Sequence, residues 1–139
     1  MREVKGKEMK NEDVELFQDK VSELLVRHRS ILDSLSKFQE SAARVNRAVA
    51  KTVTSCGCLA IYATKQSCPP EVALKDCQKY MDSHLKGELC EQCREALEEE
   101  LGNHLFYLTA LCNLLNQDLS ELFGREYQRL SALGFFHLS

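Results

Sequence analysis

The sequence predicts an all-α protein, an antiparallel helical bundle with two long helices and two shorter ones. The chain has 139 residues, of which 44% are hydrophobic and 28% are charged, a composition typical of one globular domain. It contains only two prolines, Pro69 and Pro70, whereas β-sandwiches and barrels place turn residues roughly every 8–12 positions. Apolar residues instead recur at three- and four-residue spacing. We expect a single helical domain over residues 11–139, preceded by a flexible, charged tail over residues 1–10.

The first long helix is predicted to begin at Asn11 and to end between Ser55 and Cys58. Asn11 suits an N-cap position, and Gly57 permits the backbone conformation that ends a helix. A helix of about 40 residues with one continuous apolar seam needs a partner along its whole length, so we expect a homodimer or a larger homo-oligomer. The seam consists of two heptad-spaced sets, apolar at ten of their twelve positions: Val14, Val21, His28, Leu35, Ala42, Val49 and Phe17, Leu24, Ile31, Phe38, Val45, Thr52.

The rest of the chain is predicted to hold a connector and three further helices. Residues 58–65 are ambiguous between an extended segment and a continued helical turn, and the two prolines force a connector after them. A short amphipathic helix is expected over about residues 71–82, and the second long helix over about residues 85–115. Asp118 and Glu121 have the spacing of a capping box and predict a last helix over residues 119–133, ended by Gly134.

Charge and hydropathy exclude several functional classes. The net charge of −3 and the pI near 5.8 do not provide the basic surface of proteins that bind duplex nucleic acid. The longest apolar stretch, residues 105–115, is far shorter than the roughly 20 residues that span a membrane. The N-terminal residues lack the apolar core of a signal peptide. We expect a cytoplasmic protein without a membrane partner, with its seven cysteines reduced.

Four cysteines form two close pairs, Cys56-Gly57-Cys58 at the end of the first helix and Cys90-x-x-Cys93 at the start of the second long helix. In a bundle the end of one long helix can lie beside the start of the next, so the pairs can supply the four ligands of a tetrahedral zinc site. An iron–sulfur cluster and burial as apolar core residues are the alternatives. Of the other three cysteines, Cys68 is expected to be a loop thiol, and Cys77 and Cys112 are expected to be core residues.

A row of acidic residues lies on the second long helix. Glu88, Glu91, Glu95 and either Glu98 or Glu99 recur at three- and four-residue intervals and therefore project from one face, with Asn103 one turn beyond Glu99. Carboxylates facing each other across a bundle can hold Mg²⁺, an ion that prefers oxygen ligands. The alternative is an ordinary solvated helix face.

Basic residues on the first helix are candidates for contact with phosphates. Arg44, Arg47 and Lys51 are spaced by three and four residues and share a face, for which a solvated surface is again the alternative. His104 is one turn from Glu100, and we expect a hydrogen bond between these two side chains rather than a catalytic base.

Three phrases in the second half of the chain resemble one protein family. They are Gly87-Glu88-Leu89, the run EELGNHLFYLTAL from Glu99 to Leu111, and Asp118-Leu119-Ser120-Glu121. Over about residues 85–133 the chain resembles the MazG-like all-α nucleoside triphosphate pyrophosphohydrolases. The resemblance implies a MazG-like bundle and cleavage of nucleoside triphosphates to the monophosphate and pyrophosphate. It also implies Mg²⁺ bound by acidic residues, here Glu88, Glu91, Glu95, Glu99, Glu100 and, in place of the family's carboxylate, Asn103.

Two functional hypotheses follow from these patterns. The first is a MazG-like pyrophosphohydrolase, or a degenerate descendant that binds nucleotide or metal. The second is a non-catalytic helical oligomerisation or interaction module stabilised by a Cys₄ zinc site. The amide at Asn103 and the first family motif, of which only Glu88 remains, favour the second hypothesis. Zinc and magnesium are thus the two candidate metals that the sequence indicates.

Overall fold

The structure, a computed structural model, describes residues 11–135 and is mostly helical, which confirms the all-α class. Residues 1–10, predicted to form a flexible tail, and residues 136–139 lie outside the described part. The helices are α1 (Asn11–Leu24), α2 (Ile31–Lys51), α3 (Glu91–Leu114) and α4 (Leu119–Leu133). A π-helical turn over Thr52–Cys56 extends α2, and two short strands, β1 (Leu59–Ile61) and β2 (Leu85–Gly87), form an antiparallel pair.

The α2–α3 hairpin, in which the two longest described helices run antiparallel, is the centre of the fold. Small polar residues are buried along these helices and let the backbones approach closely. Each of their hydroxyl groups donates a hydrogen bond to a backbone carbonyl nearby in the sequence, so burial leaves no polar atom without a partner in the described part. They are Ser34, Ser41, Thr52 and Thr109.

The prediction of one continuous helix of about 40 residues is wrong, because residues 25–30 are not helical and separate α1 from α2. The interruption lets α1 turn across α3, where Val21 and Leu25 are buried against Ala110. Ser34 Oγ donates to the His28 carbonyl oxygen, so this loop carbonyl has a partner. Tertiary burial therefore outweighs the heptad pattern, which is interrupted at the break only by the polar seam residue His28.

Two amide side chains, those of Gln18 and Asn113, tie α1 to the corner between α3 and α4. Gln18 Nε2 donates to Asn113 Oδ1 at 2.9 Å and to the Gln117 carbonyl oxygen at 2.7 Å, while the Leu119 N–H donates to Gln18 Oε1 at 2.8 Å. Val14, Cys112 and Leu119 form a small apolar cluster at this corner. The bond to Leu119 satisfies an N–H group at the start of α4, and the cluster fixes where that helix begins.

The segment between α2 and α3 contains a ribbon where helix was predicted. The ambiguous segment 58–65 is extended at β1, and Leu59 pairs with Gly87 while Ile61 pairs with Leu85. The second long helix begins at Glu91 rather than near residue 85, so that predicted start is wrong. The backbone of Gly87 has a φ of +94°, which does not fit a helix.

The loop between the strands corrects two further expectations. The amphipathic helix expected over about residues 71–82 is a 3₁₀ turn over Leu74–Tyr80. Cys68 and Cys77 form a disulfide bond, so the expectations of a free loop thiol at Cys68, of a core residue at Cys77 and of seven reduced cysteines are wrong. This disulfide bond closes a loop that contains Pro69 and Pro70. Cys112 is buried, as expected.

The last helix agrees with the sequence prediction. The α4 helix spans Leu119–Leu133, the Asp118 carboxylate accepts a hydrogen bond from the Glu121 N–H at 3.0 Å, and Gly134 follows the helix. Within residues 11–135 no helix combines the length and the hydropathy needed to cross a membrane.

Leu25→Ala tests the break between α1 and α2. Leu25 is 4% exposed, so its truncation leaves a cavity, and we expect a loss of about 2–5 kcal/mol in the free energy of unfolding. The neighbouring Leu24, which a continuous helix would bury in its seam, is 57% exposed, and Leu24→Ala is expected to change stability by at most about 0.5 kcal/mol. Urea denaturation measures both variants, and a larger loss for Leu24→Ala would contradict the break.

Candidate metal centre

The two cysteine pairs converge at the end of the α2–α3 hairpin that adjoins the ribbon. The Sγ atoms of Cys56, Cys58, Cys90 and Cys93 all lie within 4.8 Å of one another, and those of Cys56 and Cys90 are 3.7 Å apart. In a tetrahedral zinc site with Zn–S bonds of about 2.3 Å, sulfur atoms are about 3.8 Å apart. The four cysteines are therefore clustered in a way that can hold a metal ion such as zinc.

The first pair is positioned by the turn that ends α2. The π-helical turn closes with a hydrogen bond from the Gly57 N–H to the Thr52 carbonyl oxygen at 2.8 Å. Gly57 has a φ of +79°, which turns the chain back so that Cys56 and Cys58 approach the same point. Thr52 is buried against the hairpin and anchors the turn.

The second pair is positioned by the start of α3. Cys90 is the N-cap residue, and its Sγ accepts a hydrogen bond from the Cys93 N–H at 3.5 Å. Positions three apart on the first turn of a helix lie on one side, so both sulfur atoms face the first pair. The ribbon supports this arrangement, because its register places Leu59, which follows Cys58, opposite Gly87.

The electrostatics of this corner favour one thiolate. Hydrogen bonds from the Cys93 backbone N–H, and then from the neighbouring thiols, lower the pKa of Cys90 to about 7. The hydrogen bond with Cys90, together with burial, raises the pKa of Cys93 to about 12. Cys90 is thus the thiol that ionises most readily near neutral pH, and a divalent cation would displace the remaining protons as it binds.

The acidic row does not form a comparable cluster. Glu88, Glu91 and Glu95 are exposed, and Glu99 and Asn103 line different cavities. Among the described residues, the four cysteines are the one group of three or more His, Cys, Asp or Glu side chains close enough to hold a metal.

The three basic residues do come together, beside the cysteine cluster. Arg44, Arg47 and Lys51 line an open cavity of about 610 Å³ that also contacts Cys56 and Cys93; Glu99 and Glu100 complete its wall. Arg44 Nε lies 3.1 Å from Glu100 Oε2, and this bond raises the pKa of Arg44. No ion pair in the described part of the chain involves the other two basic residues.

The environment of His104 differs from the prediction. Its Nδ1 lies 2.9 Å from Ser41 Oγ, and its ring stacks on Phe38 with the centroids 4.8 Å apart, whereas Glu100 pairs with Arg44. Ser41 is 2% exposed and donates to the Phe38 carbonyl oxygen, so this serine and histidine have a packing role. Sequence reasoning missed this contact because the two residues are 63 positions apart.

Comparison with known proteins assigns no family. The chain matches no protein-family model, and neither a curated protein nor a solved structure is significantly similar to it. The site must therefore be interpreted from its own chemistry.

Gly87→Ala tests the link between the ribbon and the cysteine cluster. An added Cβ would clash with the Cys58 carbonyl oxygen, and a φ of +94° strains any L-residue. We expect loss of metal binding and a lower melting temperature. Gly102→Ala is the matched control, because it has open space on α3 and should gain roughly 0.5–1 kcal/mol from helix propensity. Thermal melts with zinc analysis measure both; unimpaired metal binding by Gly87→Ala would contradict this role.

Proposed function

We propose that this protein is a non-catalytic helical interaction module whose α2–α3 hairpin is closed by a structural zinc ion. The observation that carries the proposal is the approach of four cysteine Sγ atoms to within 4.8 Å of one another. Four thiolates are the ligand set of structural zinc sites, which leave no coordination position for water or substrate. Zinc bound here would cross-link Cys56 to Cys90, 34 residues apart in sequence.

The small core supports a structural role for the ion. In the described part of the chain only six apolar residues are buried, too few for a protein of this size to depend on its core alone. A metal that binds the folded chain and not the unfolded one adds its binding free energy to folding. The many large apolar side chains left exposed support an interaction role, because such residues mark surfaces that other molecules cover.

Zinc content and cysteine substitution test the metal. We expect one zinc ion per chain after purification under reducing conditions, and a cobalt derivative with the absorption of tetrahedral sulfur coordination. Cys90→Ser removes a ligand and should abolish tight binding and lower the melting temperature by on the order of 10 °C. Cys112→Ser, the control, alters a buried thiol outside the cluster and should keep the zinc. A folded, zinc-free protein whose stability is unchanged in Cys90→Ser would contradict the proposal.

A nucleotide-binding or pyrophosphohydrolase function is the second candidate. The cavity that Arg44, Arg47 and Lys51 line favours it, because two of these cations have no ion pair in the described part. The resemblance of residues 85–133 to the MazG-like family points in the same direction. Against it, Glu100 is engaged by Arg44, and the acidic row supplies no cluster of three carboxylates among the described residues.

Pyrophosphate release from a panel of nucleoside triphosphates, with Mg²⁺ and then Mn²⁺, distinguishes the two candidates. We expect no turnover above the background, because oxygen ligands for a catalytic ion do not converge. Turnover that Glu88→Gln abolishes, while the control Glu15→Gln retains it, would overturn the non-catalytic proposal.

A further inference from the structure

The α2 helix is charged on one side only. All six of its Asp, Glu, Lys and Arg residues are spaced alternately by four and three positions, which places them on one face. They are Asp33, Lys37, Glu40, Arg44, Arg47 and Lys51. The opposite face, more than half of the circumference, carries no charge over 21 residues and includes Ile31, Leu35, Ala42 and Val49. Part of this face, at Ser34 and Ser41, is buried in the hairpin, but Leu35 is 47% exposed and Val49 42% exposed, so the chain leaves the rest of it uncovered.

The α3 helix has a matching apolar stripe. Leu101, Leu105 and Leu108 are spaced by four and three positions and are all exposed, and no Asp, Glu, Lys or Arg occurs from residue 101 to residue 114. The polar faces of the two helices meet on the side where Arg44 pairs with Glu100. Helical periodicity in an antiparallel pair then places both apolar stripes together on the other side of the hairpin. Toward the start of α3 the same side of the helix carries Arg94 and Glu98. We call the surface formed by the uncharged face of α2 and the charge-free part of α3, residues 101–114, the apolar face.

The apolar face continues onto α4. Leu105 lines an apolar cavity of about 190 Å³ together with Phe17 and Phe123, and Phe123 is itself half-exposed. The apolar face is about 30 Å long on α2 and about 20 Å long on α3, and it is about 20 Å wide, from the rise and diameter of helices. Two such faces in contact bury on the order of 1,000 Å², close to the lower limit for a specific interface, before α4 is counted.

We infer that the apolar face binds the same face of a second copy of this chain, so that two α2–α3 hairpins form a four-helix bundle. The inference rests on the proposed function and names its partner. In a two-fold interface identical surfaces meet, so a charge near the axis faces a like charge; a face without charge avoids this repulsion.

Oligomeric mass tests the inference. Sedimentation velocity of the zinc-loaded full chain should give twice the 15.8 kDa of one chain. Leu35→Glu and Leu105→Glu each place a charge at the centre of the apolar face and should give monomers that keep one zinc ion per chain. Leu16→Glu on α1 and Arg47→Glu on the charged face of α2 are the controls, and both should remain dimers. Leu16 is 61% exposed, so it tests an exposed leucine outside the face.

Two results would overturn the inference: a monomeric wild-type protein, whose face would then serve a different partner, or dimers of both glutamate variants. If a variant loses its helical circular dichroism, carbene footprinting of the wild type decides instead. Labelling of Leu35 and Leu105 should fall several-fold on dimerisation while that of Leu16 stays constant, and unchanged labelling at all three would overturn the inference. Zinc analysis of the same samples separates the two proposals, because a zinc-binding monomer contradicts only the dimer and a zinc-free dimer contradicts only the metal site.

Discussion

The meeting of four cysteine sulfur atoms at one end of the α2–α3 hairpin is the constraint on which the rest of the structure depends. It fixes the end of α2 against the start of α3 and requires the ribbon to turn back with Gly87 against Cys58. Four ionised thiols so close together would repel each other strongly without a cation. A zinc ion bound here would convert that repulsion into a cross-link and would set the register in which the two helices run side by side.

From that corner the hairpin is held by small residues rather than large ones. Ser34, Ser41 and Thr52 are buried along α2 and its terminal turn, each donating to a backbone carbonyl. Small side chains allow close approach but bury little apolar area, so the hairpin gains less from the hydrophobic effect than its leucine content would allow. Leu35, Leu101, Leu105 and Leu108 lie instead on the outer surface of the hairpin. A hairpin with leucines on its outer surface forms one layer of secondary structure, and such an apolar surface needs a second layer packed against it.

The sequence predicts the parts of the fold whose signals are local. Asp118 and Glu121 define the start of α4 by side-chain hydrogen bonding, and the two cysteine pairs are recognisable by their spacing. The break after Leu24 is not predictable in this way, because its one local signal, the polar seam residue His28, does not by itself end a helix, and the burial of Leu25 against Ala110 is a contact between distant segments. The Cys68–Cys77 bond is missed for a different reason: the two residues are only nine positions apart, but spacing alone does not determine which cysteines pair.

The most direct test of the account is the zinc K-edge X-ray absorption spectrum of the purified full chain. The fine structure should fit four sulfur scatterers at about 2.3 Å with no nitrogen or oxygen in the first shell. That result would establish that both cysteine pairs bind one ion and that the site is closed to substrate. A first shell containing nitrogen or oxygen, or fewer than four sulfur atoms, would contradict a structural Cys₄ centre.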